Sequence, residues 1–276
     1  MSQARMARNG GMASSAPCRC HSAGLDDPAE DKVVWVYAVA ADLDPGRLSG
    51  LTGVGGEPVR AVVEGDLCAV VGSVDAAVFG EKSLASPLAD QTNIEMIGRA
   101  HHQVVATVAS DGPVVPLRLA TIYADDLTIR VLLAERLAEL TVMLESFRGT
   151  EEWGVKVRVE PWADGGGGDP GAAASSSEPD GTTVWGPRWQ EAEDYAQEID
   201  RTLSDIAIAT QRHAAPYPRF GNIEGWTVHS GVYLLDTERA AEFTGIVRKL
   251  TQERAGLWAD VTGPWPPYSF ADRPEV

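Results

Sequence analysis

The sequence predicts an α+β protein of two sheet-and-helix domains. Runs of β-branched and aromatic residues, which suit strands, alternate with stretches whose apolar residues recur at steps of three and four, which suit helices. A tract without apolar side chains to bury, "DGGGGDPGAAASSSEPDG" (Asp164–Gly181), divides them and has the composition of a linker. A chain of 276 residues, 44% hydrophobic and 23% charged, has ample material for the cores of two ordinary domains. The expected organisation is a disordered leader over residues 1–30, a first α+β domain over 31–160, a flexible Gly/Ser-rich linker over 161–186, and a second α+β domain over 187–276. The second domain ends in a proline and aromatic tail.

Order is expected to begin at "KVVWVYAVA" (Lys32–Ala40), whose unbroken apolar character predicts a strand buried on both faces. The loop "GLTGVGGEP" that follows is glycine-rich. It leads into a strand and lacks a Lys-Ser/Thr pair, so it reads as a plain loop and not as a phosphate cradle. "VRAVVEGDLCAVVGSV" (Val59–Val74) reads as two strands joined by a tight turn at Glu64-Gly65-Asp66. Ile94, Ile97, His101, Val104 and Val108 mark one face of a helix. "GPVVPLRLATIY" (Gly112–Tyr123) predicts a short buried strand interrupted by Pro116. Within it Arg118 is expected to be buried or half-buried against a carboxylate such as Glu95 or Glu152, or against backbone carbonyls. A second helix starts near Asp125-Asp126, acids suited to a helix N-terminus, with Ile129, Leu133, Leu137, Leu140, Leu144 and Phe147 facing a core. "EEWGVKVRV" (Glu151–Val159) alternates like a half-exposed strand and closes the first domain. The helices are expected on one side of the sheet.

In the second domain Trp189, Ala192, Ala196, Ile199, Leu203, Ile206 and Thr210 line one face of an acidic helix. Such a stripe either packs on its own domain or forms a seam with a partner. "GWTVHSGVYLLD" (Gly225–Asp236) predicts a strand, the next segment a helix opened by Thr237, and "LWADVTGP" a closing strand, together a βαβ unit. The tail "GPWPPYSF" threads Trp265, Tyr268 and Phe270 through three prolines. Because proline fixes φ and lacks an amide donor, an extended tail is expected that does not continue the strand. Its rings either dock on the protein's own helices, the favoured reading, or await a partner.

A net charge of −17 and a pI near 4.6 argue against binding nucleic acid or an anionic membrane, which require a basic surface. No apolar run approaches the ~20 residues that span a bilayer. The three cysteines, Cys18, Cys20 and Cys68, have no framework spacing and suit a reducing cytoplasm. Cys18-Arg19-Cys20-His21 lacks a second ligand pair of zinc-like spacing, so no metal is expected. No nucleophile elbow, Walker loop or paired metal-binding histidines occur. His101 and His102, being adjacent, diverge by about 100° on a helix and do not chelate together. His101 reads as a hydrogen-bonded core histidine and His229 as a strand residue. Neither requires catalysis.

Taken in order, "VYAVA", "GDLCAVV", "GRAHHQVV" with "PVVPLRLATIY", "EEWGVKV" and "GPWPPYSF" resemble gas vesicle proteins of the L/F type (GvpL/GvpF). The resemblance covers most of residues 33–160 and 187–270, and leaves out the leader and the linker. It implies two domains that are ferredoxin-like α/β sandwiches, in a cytoplasmic accessory protein of gas vesicle assembly. Such a protein binds the small hydrophobic shell protein and other accessory proteins, prevents shell-protein aggregation, aids nucleation of the wall and associates with the vesicle as a minor component. No catalytic residue, cofactor or metal comes with the resemblance. Trp189, Trp265, Tyr268 and Phe270 stand as candidate partner-binding residues. The rival reading is a ferredoxin-like small-ligand-binding protein or enzyme using the region of His101 and Arg118, recognisable by a deep polar pocket joining them.

Overall fold

The computed structural model describes residues 32–80, 83, 89–159, 187–213, 226–253 and 256–271; for 187–192 and Trp226 only the backbone element is described. The expected leader, the linker and the side chain of Trp189 therefore lie outside the described residues.

The first sheet is laid down by β1 (Lys32–Ala41), β2 (Val59–Glu64), β3 (Leu67–Asp75), β4 (Val114–Pro116) and β5 (Ile122–Tyr123). Its order is β2-β3-β1-β4, with β5 also on β1, and its pairs are antiparallel. The β2–β3 turn falls at Gly65, whose φ of +58° suits a residue without Cβ. β1 is buried along Val34–Ala40, as its continuous apolar run predicted. Trp35 and Tyr37 face α2 (Gln91–Ala109) through Ile97, Val104, Val105 and Val108. Val34, Val36 and Val39 face α3 (Asp126–Glu135) and α4 (Leu137–Ser146) through Ile129, Leu133, Leu140 and Leu144.

Helices thus cover both faces of this sheet, where the sequence suggested one. The single helix expected after Asp125 is two, interrupted at Arg136, which leaves helical dihedrals at φ −100° and ψ 13°. Asp125 caps its start as expected, accepting the Thr128 N–H at 2.8 Å. The one-turn helix α1 (Ala76–Phe79) extends β3.

The second sheet corrects the expected grouping. β6 (Thr150–Val159), placed by sequence with residues 31–160, pairs with β8 (Trp226–Asp236) and β9 (Leu257–Trp265). With β7 (Ala209–Arg212) the order is β7-β8-β6-β9, every neighbouring pair antiparallel. Alternation correctly put Val155 and Val157 inside, both 0% exposed, but it does not say which strands supply the partners. Elements run β6, α5 (Pro187–Ser204), β7, β8, α6 (Ala240–Gln252), β9.

α5 packs Tyr195, Ala196, Ile199 and Leu203 with Phe243 and Val247 of α6 over one face of this sheet. From Ala196 to Leu203 its stripe is therefore covered by the chain itself. The stripe ends sooner than its periodicity implied, because Ala209–Arg212 is the edge strand β7. Thr237 does not cap α6: its hydroxyl donates to the Gly149 carbonyl at 2.9 Å, and a 3-10 turn over Thr237–Arg239 leads into the helix. The described residues form one compact unit.

Candidate interaction site

The C-terminal segment crosses from the second sheet to the first. β9 pairs with β6 down to Thr262, slips at Gly263-Pro264, and resumes with Trp265 opposite Glu152. The expectation that the prolines end the ladder is thus overturned. A bulge takes up Pro264, which cannot donate, and the strand resumes one residue later. Gly263 sits in this bulge at φ +134°, where an added Cβ would fall 2.9 Å from the Glu152 carbonyl and 3.0 Å from the Trp153 ring. The prolines then lead not into an extended tail but into the one-turn helix α7 (Tyr268–Ala271).

α7 is held from both sides. On the second sheet, the Ser269 N–H and hydroxyl donate to the two oxygens of Glu152 at 2.7 and 2.8 Å, and the Gln211 amide donates to the Ser269 carbonyl at 2.5 Å. Burial, only partly offset by those hydrogen bonds, pushes the Glu152 carboxyl above the usual range. On the first sheet, Tyr268 packs against the core beneath α2, with its hydroxyl 3.3 Å from His102 Nδ1. Phe270 packs against the α3–α4 side. Trp265 meets His102 edge-on, ring centroids 4.8 Å apart, and remains 38% exposed. Of the four candidate partner-binding residues, Tyr268 and Phe270 are thus half-buried in the protein's own cores. Trp265 presents an accessible ring beside them, and the Trp189 side chain lies outside the described residues. Periodicity had no means of finding Glu152 or Ser269, since their pairing spans more than a hundred residues.

The rival centre does not assemble. His101 is 3% exposed, and both ring nitrogens are engaged: Nδ1 accepts the Trp35 indole N–H at 3.0 Å and Nε2 lies 3.1 Å from the Leu117 carbonyl. That is the neutral, Nε2-protonated ring, and burial lowers its pKa to about 4. Arg118, expected buried or half-buried, is exposed two residues beyond the end of β4, because that strand stops at Pro116. A surface cavity of about 380 Å³ opens elsewhere, beside the bidentate ion pair of Arg47 with Asp111. The glycine-rich loop wraps an acid of its own. The Gly55 N–H donates to Glu57 Oε2 at 2.8 Å, Tyr37 donates to Oε1 at 2.6 Å, and the Val54 N–H reaches the Tyr37 hydroxyl at 2.9 Å. An added Cβ at Gly53 or Gly72 would fall on that carboxylate.

A second buried polar group lies between α5 and its sheet. Tyr233 donates to Asp200 Oδ1 at 2.7 Å, His229 Nε2 lies 2.9 Å from the Tyr233 hydroxyl, and the Arg212 guanidinium holds Asp200 Oδ2. Burial pushes Asp200 up, but the hydrogen bonds from Arg212 and Tyr233 outweigh it and hold its carboxyl below the usual range. Burial lowers His229, against the pull of Asp200. The tyrosine proton is committed to Asp200 and burial raises the Tyr233 pKa, so this arrangement fixes α5 to β8 and leaves no activated nucleophile. Among the described residues no helix is long and apolar enough to cross a membrane.

Comparison with known proteins identifies what this architecture is similar to. Residues 33–272 match the family described as Gas vesicle synthesis protein GvpL/GvpF. Gas vesicle protein L of Streptomyces sp. (strain CB03234) is 34% identical over 251 residues, 87% of this chain and 93% of that protein. Gas vesicle protein F of the same strain is 26% identical over 252 residues, 86% of this chain and 99% of that protein. Among solved structures, GvpF from Anabaena sp. PCC7120 superposes with a TM-score of 0.62 at 16% identity, over 88% of this chain and 98% of that one. GvpF from Microcystis aeruginosa gives 0.58 at 17%, over 87% and 99%. These two likenesses establish a shared fold. Since the family match spans nearly all of the chain from β1 to α7, the protein belongs to the GvpL/GvpF family of gas vesicle synthesis proteins.

Proposed function

We propose that this protein is a non-enzymatic assembly factor that binds the hydrophobic gas vesicle shell protein before it polymerises. In doing so it limits aggregation and aids nucleation of the wall, acting in the cytoplasm alongside other accessory proteins and staying with the vesicle as a minor component. Family membership supplies the gas vesicle role. The observation that carries the finer reading is the accessible Trp265 ring, seated on His102 and backed by Tyr268. A large aromatic held rigidly at the surface is the type of anchor that dominates protein interfaces. An apolar shell subunit exposes surface that aggregates unless a soluble protein masks it, and a strongly acidic partner keeps such a complex in solution. The β-α-β-β-α-β order of the second sheet supports a ferredoxin-like unit as the scaffold.

The test is co-expression with the shell protein, followed by its distribution between soluble and pelleted fractions. Soluble shell protein should rise with this chain present and fall back by about tenfold with Trp265→Ala, an anchor-sized loss. A shell protein that pellets equally with and without the chain defeats the reading.

A further inference from the structure

Both ends of the segment that displays Trp265 are fixed on one residue. Trp265 stands opposite Glu152 in the β6–β9 ladder. Four residues later Ser269 gives its N–H and its hydroxyl to the Glu152 carboxylate, at 2.7 and 2.8 Å. Trp265–Ser269 is thus a loop closed at one end on the backbone of Glu152 and at the other on its side chain. Inside the loop Pro266 and Pro267 are buried and have fixed φ, and the Tyr268 N–H turns back onto the Pro266 carbonyl at 2.7 Å. Just before it, the Gly263 bulge lies so close to the Glu152 carbonyl that an added Cβ would fall 2.9 Å away. Little backbone freedom is left to Trp265.

A carboxylate is a costly side chain for this place. Glu152 is 6% exposed, and among the described residues its oxygens accept hydrogen bonds only from Ser269. Burying a charged group costs free energy that a neutral one would not. What the charge supplies is acceptance on both oxygens at once, in bonds about twice as strong as neutral ones. Glutamine offers a single acceptor oxygen, because its amide nitrogen cannot accept. The two Ser269 bonds use this difference in full, and with the imidazole of His213 they favour the ionised form against its burial.

We infer that Glu152 is the positioning residue of the Trp265 anchor: by closing the Trp265–Ser269 loop it sets the ring on His102 before a partner arrives. This rests on the anchor role proposed above. A ring already held in its binding pose loses less conformational freedom on association, so the clasp raises affinity from beneath the contact surface.

The test has two readouts on the full chain. The first is NMR with isotope-labelled tryptophan, the Trp265 indole N–H signal being identified by its loss in Trp265→Phe. Glu152→Gln should displace or broaden that signal and leave unmoved the indole of Trp35, which is bonded to His101 in the first sheet. The second is shell protein retained by the affinity-tagged chain on co-expression. Glu152→Gln should retain several-fold less than the wild type, yet cost nothing further in a Trp265→Ala background, because it acts through the ring. If Glu152→Gln fails to fold, Ser269→Ala, which keeps the backbone bond, takes its place with smaller changes of the same kind. An unmoved Trp265 signal means that His102 and Tyr268 hold the ring unaided, and overturns the inference. An equal loss of retention in both backgrounds makes Glu152 merely structural and overturns it too. So does wild-type retention by Glu152→Gln, and if Trp265→Ala still loses the shell protein the assembly role stands without the clasp. No retention by the wild type defeats the role itself, and with it the anchor to be positioned.

Discussion

β1 and β6 hold the same place in their respective sheets. Each is the first strand of its sheet and lies between the third and the fourth, since both sheets have the order fourth-first-third-second. Yet β1 reads KVVWVYAVAA and β6 reads TEEWGVKVRV. The first is buried on both faces, against α2 on one side and α3–α4 on the other. The second has α5 and α6 on one face, and its other face carries Glu152, buried under α7, and further along the exposed Lys156 and the half-buried Arg158. Strand composition thus reports how many layers cover a strand, not where it stands in the sheet. The connections differ too. Between its first and second strands the second sheet inserts α5. The first sheet uses a 3-10 turn (Pro45–Leu48) and the glycine-rich loop, which place Leu48, Leu51 and Val54 on the face shared with α2.

The contrast predicts unequal sensitivity to core damage. Trp35 is 0% exposed, stacks edge-on with Phe79 and donates to His101. Trp35→Ala opens a cavity between two layers and leaves a buried histidine short of a donor, so a loss of about 3–5 kcal/mol is expected. In the second sheet the counterpart is polar. Tyr233→Phe keeps the ring but removes the hydrogen bonds to Asp200 and His229, for a loss of about 1–3 kcal/mol. Urea unfolding of both variants measures the two losses. A larger loss from Tyr233→Phe would invert the comparison and make the polar group, not the two-sided core, the mainstay of stability.

The two-sided core should also respond to pH. His101 is neutral in the fold, with its pKa lowered from 6.5 to about 4. Above pH 6.5 the ring is neutral whether the chain is folded or not, and its contribution is complete. As pH falls from 6.5 towards about 4, only the unfolded chain takes up the proton, so stability drops across that window and this contribution flattens below it. At 1.36 kcal/mol per pKa unit the whole window is worth roughly 3 kcal/mol. His229, also lowered by burial, adds a loss of the same sign, whereas Glu152, raised by burial, opposes it. Unfolding free energies at pH 7.5 and 5 should therefore differ less in His101→Gln than in the wild type. An unchanged difference would assign the pH response to the second sheet.

Much of the fold was legible because periodicity reports local burial. The β1 run, the β2–β3 hairpin around Gly65, the α2 face through His101 and the alternation in β6 all follow from side chains a few residues apart. What escaped was set by long-range pairing. Nothing within Glu151–Val159 says that its partners begin at Trp226 and Leu257. The spacing of Trp189 to Thr210 carried the helical reading past Ser204 into a strand, because β7 continues the same steps of three and four. The apolar run around Arg118 reads as a buried strand merely interrupted by Pro116, whereas the β4 ladder ends there and leaves Arg118 exposed. The tail was half legible. Its aromatics do dock on the chain itself, but a bulge and a one-turn helix replaced the expected extended arm.

The smallest effect should come from that tail, which joins the two sheets. Ser269→Ala removes the hydroxyl bond to Glu152 Oε1 and keeps the backbone N–H bond to Oε2. The buried carboxylate then retains one of its two donors from the tail, and its pKa should rise further as the counterweight to burial shrinks. A loss of about 1 kcal/mol at neutral pH is expected. The loss should narrow as the pH is lowered and the Glu152 carboxyl takes up a proton in the fold, since a neutral acid needs the donor less. Because Ser269 anchors the tail to the second sheet and Tyr268 to the first, the variant also shows whether the junction is one cooperative unit. If the junction is one unit, loosening Ser269 should release Tyr268 as well, and hydrogen exchange should quicken in both α7 and the neighbouring α2 around His102. Quickened exchange in α7 alone would mean that the two sheets hold the tail independently, with the aromatic half keeping Trp265 in place without help from Glu152.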